Sequence, residues 1–239
     1  MAKAPEPGRV KTRLCPPLDH GQASALASAF AHDLLQRLSS RRSFELRLAI
    51  DDGRSAADFA AQSATAGNGS QPFAARSLAD EARRLGVCFE HQGGGDLGAR
   101  MERLIARGTD ADGSPTLLVG ADVPDLPDEA IERAFDVLQA TDCVLVPARD
   151  GGYVAVGARR RVPALFAIDA PWSSAGVLAA TTRSLERAGA SFEVLAQWED
   201  VDDAAALGRL AARLSDRGGQ VAPATARLLE KWRSEGVRF

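Results

Sequence analysis

Four cations, Lys3, Arg9, Lys11 and Arg13, stand in the first thirteen residues, in a run stiffened by Pro5 and Pro7 and opened by Gly8. A helix is expected after Pro16-Pro17, with Asp19 and Ser24 as caps. A glycine-containing turn that carries lysine and arginine just before a helix suits phosphate: the glycine lets the backbone approach phosphate oxygens and the cations neutralise their charge. The G-x-x-x-x-G-K-[ST] spacing of a Walker loop is absent. Basic N-terminal runs are as often solvated tails, so the meaning of this one depends on two motifs further along.

The second motif is Val119-Gly120-Ala121-Asp122-Val123-Pro124-Asp125-Leu126. The wholly apolar run Thr116-Leu117-Leu118-Val119 reads as a central parallel strand. Ligands of open α/β sheets gather beyond the carboxyl ends of such strands. Asp122 is thereby placed to hold a hard divalent cation that bridges substrate phosphates; the alternative makes it a turn or cap residue. The third motif, Pro147-Ala148-Arg149-Asp150-Gly151-Gly152-Tyr153, carries an Asp-Gly hairpin signal between two apolar runs. The hairpin accounts for the glycines. It does not account for Arg149, Asp150 and the chain's single tyrosine, Tyr153, meeting at its tip.

The elements that must position these groups alternate between strand and helix. Helical spacing covers 22–40, and a half-buried strand is expected over Phe44–Ile50, followed by a long polar loop through about Gln71. Helix over 79–85, strand over 87–89 and helix over 97–107 come next. The 116–120 strand, a helix over 128–140 and a hairpin spanning Asp142–Gly157 follow. Helix over 174–188, a short strand over 192–195 and helices over 203–214 and 223–234 complete the chain. The alternation predicts a doubly wound α/β sheet, mostly parallel, with the hairpin as its antiparallel part. No repeat or linker divides the sequence, so one domain over 1–239 is expected.

Composition narrows the classes. Hydrophobic residues make up 45% but aromatics only 5%, so the core is built from Ala, Leu and Val. A net charge of −3 argues against a general nucleic-acid binder, and any anionic ligand must be met by a local cluster of cations. Cys15, Cys88 and Cys143 are scattered and lack C-x-x-C spacing, which points away from disulfides or a thiolate zinc site and toward a cytoplasmic location. No run reaches membrane-spanning length. His20, His32 and His91 are isolated, and Arg159-Arg160-Arg161 is a solvated loop or a grip for an anionic acceptor.

Together the three motifs resemble a bacterial transferase family of the GT-A, nucleotide-diphospho-sugar transferase fold. That family is described as rSAM/selenodomain-associated transferase 1 and linked to arsenosugar-type glycosyltransferases. Its K-x-P-x-P-G-x-V-K-T-R-L run matches Lys3 to Leu14, its G-[SA]-D-x-P-x-L matches Gly120 to Leu126, and its D-G-G-Y matches Asp150 to Tyr153. Asp96-Leu97-Gly98-Ala99-Arg100-Met101, Pro171-Trp172-Ser173-Ser174 and Asp200-Val201-Asp202 match further segments in order.

The resemblance implies a metal-dependent transfer of sugar from a nucleotide-diphosphate donor to a small-molecule acceptor. Gly8, Lys3, Lys11 and Arg13 would meet the phosphates, and Asp96, Gly98 and Arg100 would line the nucleotide. Asp122 and Asp202 would hold magnesium or manganese. Tyr153 and Trp172 would face the acceptor or sugar, with an ordinary core tryptophan as the alternative, and Asp150 would be the base. Two other readings stand beside it: a nucleotidyltransferase of the phospholactate or molybdenum-cofactor guanylyltransferase type, using a nucleoside triphosphate, and a degenerate nucleotide-binding module. The sequence departs from the family pattern in three places. Only Met1-Ala2 precede the Lys-x-Pro segment, Ala121-Asp122 replaces a full D-x-D, and Asp202-Asp203-Ala204 lacks the usual Thr and second acid.

Overall fold

A computed structural model describes residues 1–41, 43–51, 53 and 73–239. Most of the polar stretch expected to be a loop, including Asp52, lies outside the described residues. The chain divides into two compact units: Met1–His91 with Ala121–Asp125 and Val201–Phe239, and Gln92–Gly120 with Leu126–Asp200.

The first unit holds a parallel three-stranded sheet in the order β1 (Ala2–Lys3), β2 (Arg47–Asp51), β3 (Cys88–His91). Ala2 stands opposite Ile50, and Ile50 opposite His91. Helix α1 (His20–Ser39) begins in a reciprocal capping box, where Asp19 accepts from the Gln22 amide and Gln22 accepts from that of Asp19. Ser24, expected as a cap, lies inside the helix instead.

Residues four apart share a helix face, and α1 buries two such faces. Ala31 and Leu35 join Leu48, Ile50, Val87 and, from α2 (Phe73–Arg84), Leu78 and Ala82. Leu26 and Phe30 join Leu14, Leu18 and the apolar sides of α6 (Ala204–Asp216) and α7 (Pro223–Ser234), including Leu207, Leu210, Leu229 and Trp232. Each large side chain so buried contributes roughly 1.5–3 kcal/mol. Asp33, also on α1 and 2% exposed, accepts from the Ala224 and Thr225 amides and the Thr225 hydroxyl, capping α7 from outside its own sequence neighbourhood.

The second unit holds a mixed four-stranded sheet in the order β4 (Thr116–Val119), β6 (Tyr153–Ala158), β5 (Cys143–Pro147), β7 (Phe192–Val194). β6 runs antiparallel to both its neighbours, and β5 and β7 are parallel. β5 is buried along its whole length. Helix α4 (Asp128–Leu138) packs Ala134, Val137 and Leu138 on Val144. Helices α3 (Leu97–Asp112) and α5 (Val177–Arg187) complete the unit. Asp142 anchors the start of β5: its carboxylate accepts from Arg160 at 2.8 Å and from the Ser191 amide and hydroxyl, each at 3.1 Å. The Arg160 guanidinium, and then the Ser191 donors, hold this carboxyl well below the usual carboxylate range despite its burial.

The α/β class stands, with the first sheet wholly parallel and the second mixed. Among the described residues β4 stands at one end of its sheet order and pairs with the antiparallel β6, so the ladder it forms there is not the parallel one expected. Its apolar residues are only half-buried. An apolar run records what covers the faces of a strand, and says nothing of which strand lies beside it or in which direction. Strand β2 starts at Arg47 rather than Phe44 because its ladder begins where Cys88 stands opposite. Helix α5 starts three residues late because Ser174 closes a turn on the Pro171 carbonyl through both its amide and its hydroxyl.

Two stability outcomes follow. Asp33→Ala removes three acceptor contacts and leaves the buried Thr225 amide and the partly buried Ala224 amide of α7 without this partner; thermal unfolding should show a loss of about 2–4 kcal/mol. Asp142 has a folded pKa below its unfolded value of about 3.9. Its contribution is therefore complete above that pH and is lost as pH falls toward the folded value. Melting temperatures between pH 5 and about 2 should fall less steeply in Asp142→Asn than in the parent chain, and parallel slopes would contradict this.

Candidate functional site

The basic loop is not a solvated tail. Its Val10 is buried and Leu14 fully so, and the Ser24 hydroxyl of α1 donates to the Pro5 carbonyl. Gly8, at φ 76°, makes the turn that lets the Arg9 amide reach the Glu6 carbonyl. The chain then enters a single 3₁₀ turn at Thr12–Leu14 through Lys11, which has left-handed backbone angles of 51° and 33°. Lys11 is the one non-glycine residue with positive φ among the described residues. That conformation costs of order 1–2 kcal/mol for a side-chain-bearing residue, and it is held by what the side chain does.

Lys11 turns inward. Its side chain is 4% exposed, and its ammonium lies 2.7 Å from Asp122 Oδ1, 3.2 Å from Asp202 Oδ1 and 2.7 Å from the Val201 carbonyl oxygen. An ammonium has three hydrogens, and three oxygens face it. Below it lies the Phe30 ring, with the nitrogen 5.8 Å from the centroid. Arg13, 75% exposed, brings its Nη1 to 3.8 Å from Asp202 Oδ2. Two carboxylates and two cations thus gather in one place.

Each carboxylate is held there from behind. The segment 121–125 is fixed by the Ala121 amide to the Met1 carbonyl, the Val201 amide to the Asp122 carbonyl, and Arg37 to the Pro124 carbonyl. Asp125, completely buried, receives Arg213 of α6 at 2.7 Å and 3.4 Å on its two oxygens. On the other side, Asp203 caps α6 by accepting from the Ala206 amide, which leaves Asp202 to face Lys11. Asp125, Arg213 and Arg37 were not read from the sequence. The one available signal was the second aspartate of the Asp122 motif.

The donor set fits a divalent cation. Asp122 and Asp202 present only oxygen, the ligand that magnesium and manganese prefer. The Lys11 ammonium already stands between them as a positive charge, and both carboxylates remain nearly half exposed. Lys3 is exposed on β1, opposite Asp51.

The remaining residues expected at the site belong to the second unit. Asp96 caps α3 by accepting from the Ala99 amide, and Arg100 donates to the Gly95 carbonyl. Gly98 lies close against Trp172: a Cβ there would collide with the indole. Trp172 meets Tyr153 edge-on, centroids 6.5 Å apart, and Phe166 at 6.4 Å. Burial pushes the Tyr153 phenol up. Asp150 accepts from the Gly152 amide at the hairpin tip. The three arginines after β6 are paired: Arg159 and Arg160 with Asp142, and Arg161 with Asp110 at 3.8 Å.

No functionally curated protein matches the chain. A crystal structure from Desulfovibrio desulfuricans G20, provisionally described as a nucleotide-diphospho-sugar transferase, is similar with a TM-score of 0.78 and 28% sequence identity. The match covers 98% of this chain and 93% of that one. The model of DUF2064, a family of uncharacterized proteins conserved in bacteria, matches residues 34–174. Asp96, Asp122, Asp150 and Trp172 fall inside that span, whereas Lys11, Arg13 and Asp202 fall outside it. Since the span is more than half of the sequence, the chain belongs to the DUF2064 family.

Proposed function

We propose that this chain is a glycosyltransferase-type enzyme that takes a sugar from a nucleotide-diphosphate donor, with a divalent cation, and passes it to a small-molecule acceptor. The observation that carries the reading is the convergence of Asp122 and Asp202 on one cation position beside Arg13, on a folded basic loop. The similarity to a provisionally described nucleotide-diphospho-sugar transferase supports it, as do the motifs shared with the rSAM/selenodomain-associated transferases.

In this reading Asp122 and Asp202 hold the cation. When bound, it supplies charge neutralisation for the leaving diphosphate. Arg13, exposed and next to Asp202, offers a planar fork that suits phosphate oxygens. Lys3 adds a flexible exposed charge. The Gly8 turn and the buried Val10 and Leu14 hold this loop in place, so that little ordering is left to be done when the ligand arrives. Asp96, Gly98, Arg100, Asp150, Tyr153 and Trp172 are assigned roles by the sequence resemblance alone, and the reading does not depend on them.

Thermal unfolding with a panel of nucleotides tests the ligand class. Nucleoside diphosphates or their sugar conjugates should raise the melting temperature, in the manner of any ligand that binds the folded state, and the rise should require magnesium or manganese. Larger stabilisation by triphosphates, with pyrophosphate released on turnover, would assign nucleotidyl transfer instead. No response to any nucleotide would leave only a binding module that has lost its ligand.

Asp122→Asn is the sharper substitution. Asparagine keeps the size and the turn, and removes the charge that a hard cation needs. The cation-dependent part of the nucleotide response should disappear. Melting without ligand should fall modestly, because Lys11 loses one of its two charged partners. A full cation-dependent response in this variant would show that Asp122 is a turn residue only.

A further inference from the structure

We propose that Lys11 is a built-in counter-ion, which holds the cation position between Asp122 and Asp202 in the ligand-free chain and gives it up only when a divalent cation arrives together with a diphosphate. This rests on the metal-binding reading above and says how that site is regulated. The sequence places Lys11 among the phosphate contacts. The geometry gives it another occupation: it donates to the Val201 carbonyl and to Asp202 and forms an ion pair with Asp122, so its ammonium is engaged within the protein.

A metal ion at the usual oxygen distance of about 2.0–2.6 Å from the same Oδ1 atoms would stand close against the ammonium, which lies 2.7 Å and 3.2 Å from them. Two positive charges would then share one small volume. If the ion displaces the ammonium, Lys11 keeps only a carbonyl as partner, on a side chain that is 4% exposed. A buried charge without a counter-charge is strongly unfavourable. The ion alone therefore binds poorly. A diphosphate removes the difficulty, because the flexible lysine stem lets the ammonium swing to its oxygens without moving the backbone. Arg13, beside Asp202, keeps a second charge at the same place. Cation and diphosphate consequently assist one another, and this coupling is reciprocal by linkage.

Lys11→Met tests the counter-ion directly, since methionine keeps much of the buried stem over Phe30 and removes the charge. Manganese uptake, followed by the spin-resonance signal of the free ion, is compared in the two proteins without nucleotide and with UDP or GDP. Without nucleotide, the variant should bind manganese at least tenfold more tightly than the parent chain. Manganese should also raise its melting temperature by more. Adding Asp122→Asn to the variant should abolish the gain; if the gain persists, the ion sits elsewhere and the proposal falls.

Equal or weaker manganese binding by the variant, in a parent chain that does take up manganese with UDP or GDP, would overturn the counter-ion role and leave the metal reading intact. Failure of both proteins to take up manganese under every condition would overturn the metal reading, and the counter-ion role with it. Should Lys11→Met not fold, Lys11→Gln provides the same comparison.

Discussion

Burying an ammonium is the constraint around which the first unit is organised. Lys11 leaves water almost completely, and a charge does so without large loss only where counter-charges and hydrogen-bond acceptors replace its hydration. The replacements come from two places far along the chain, Asp122 and the Val201-Asp202 pair. Three segments must therefore be brought together and kept in register. The core that includes Leu14, Phe30 and Val201 supplies the means: the Phe30 ring lies beneath the lysine, Val201 is buried and offers it a carbonyl, and Leu207 and Leu210 fix the helix that follows Asp202. The left-handed backbone at Lys11 is the local cost of aiming the side chain inward.

The described aspartates of this protein differ in what faces them. Asp33 and Asp125 are buried: the first caps α7 and the second grips Arg213. Asp203 caps α6, Asp96 caps α3, and Asp142 is held by Arg160 and Ser191. Asp122 and Asp202 differ. Each gives one oxygen to a buried cation and remains close to half exposed. Within each motif a half-exposed aspartate sits beside an anchored one, Asp122 near Asp125 and Asp202 next to Asp203, so that the second member orients the backbone from which the first projects.

Membership of an uncharacterized family supplies no chemistry by itself, and the matched span excludes three of the four charged side chains that gather at the site. The likeness to a provisionally described sugar-nucleotide enzyme covers nearly the whole of both chains. The functional reading consequently leans on the site's own geometry. Oxygen ligands, neighbouring cations and a pre-formed glycine turn are what a diphosphate with its metal ion requires.

What the sequence determined by itself was local. Strand and helix periodicities gave the α/β class and most elements to within a few residues, because period and capping are properties of neighbouring side chains. The Asp19 cap, the Gly8 turn and the Asp150-Gly151 hairpin were legible for the same reason. Pairing was not: β4 carries an apolar run that suits several positions in a sheet, and only the assembled ladder made it the antiparallel neighbour of β6. Nor could spacing reveal that the lysine of the basic loop faces two carboxylates more than a hundred residues away. A charge written in a sequence has no direction; only tertiary burial, which forces every desolvated charge to find its partner, decided that Lys11 points inward and Arg13 points out.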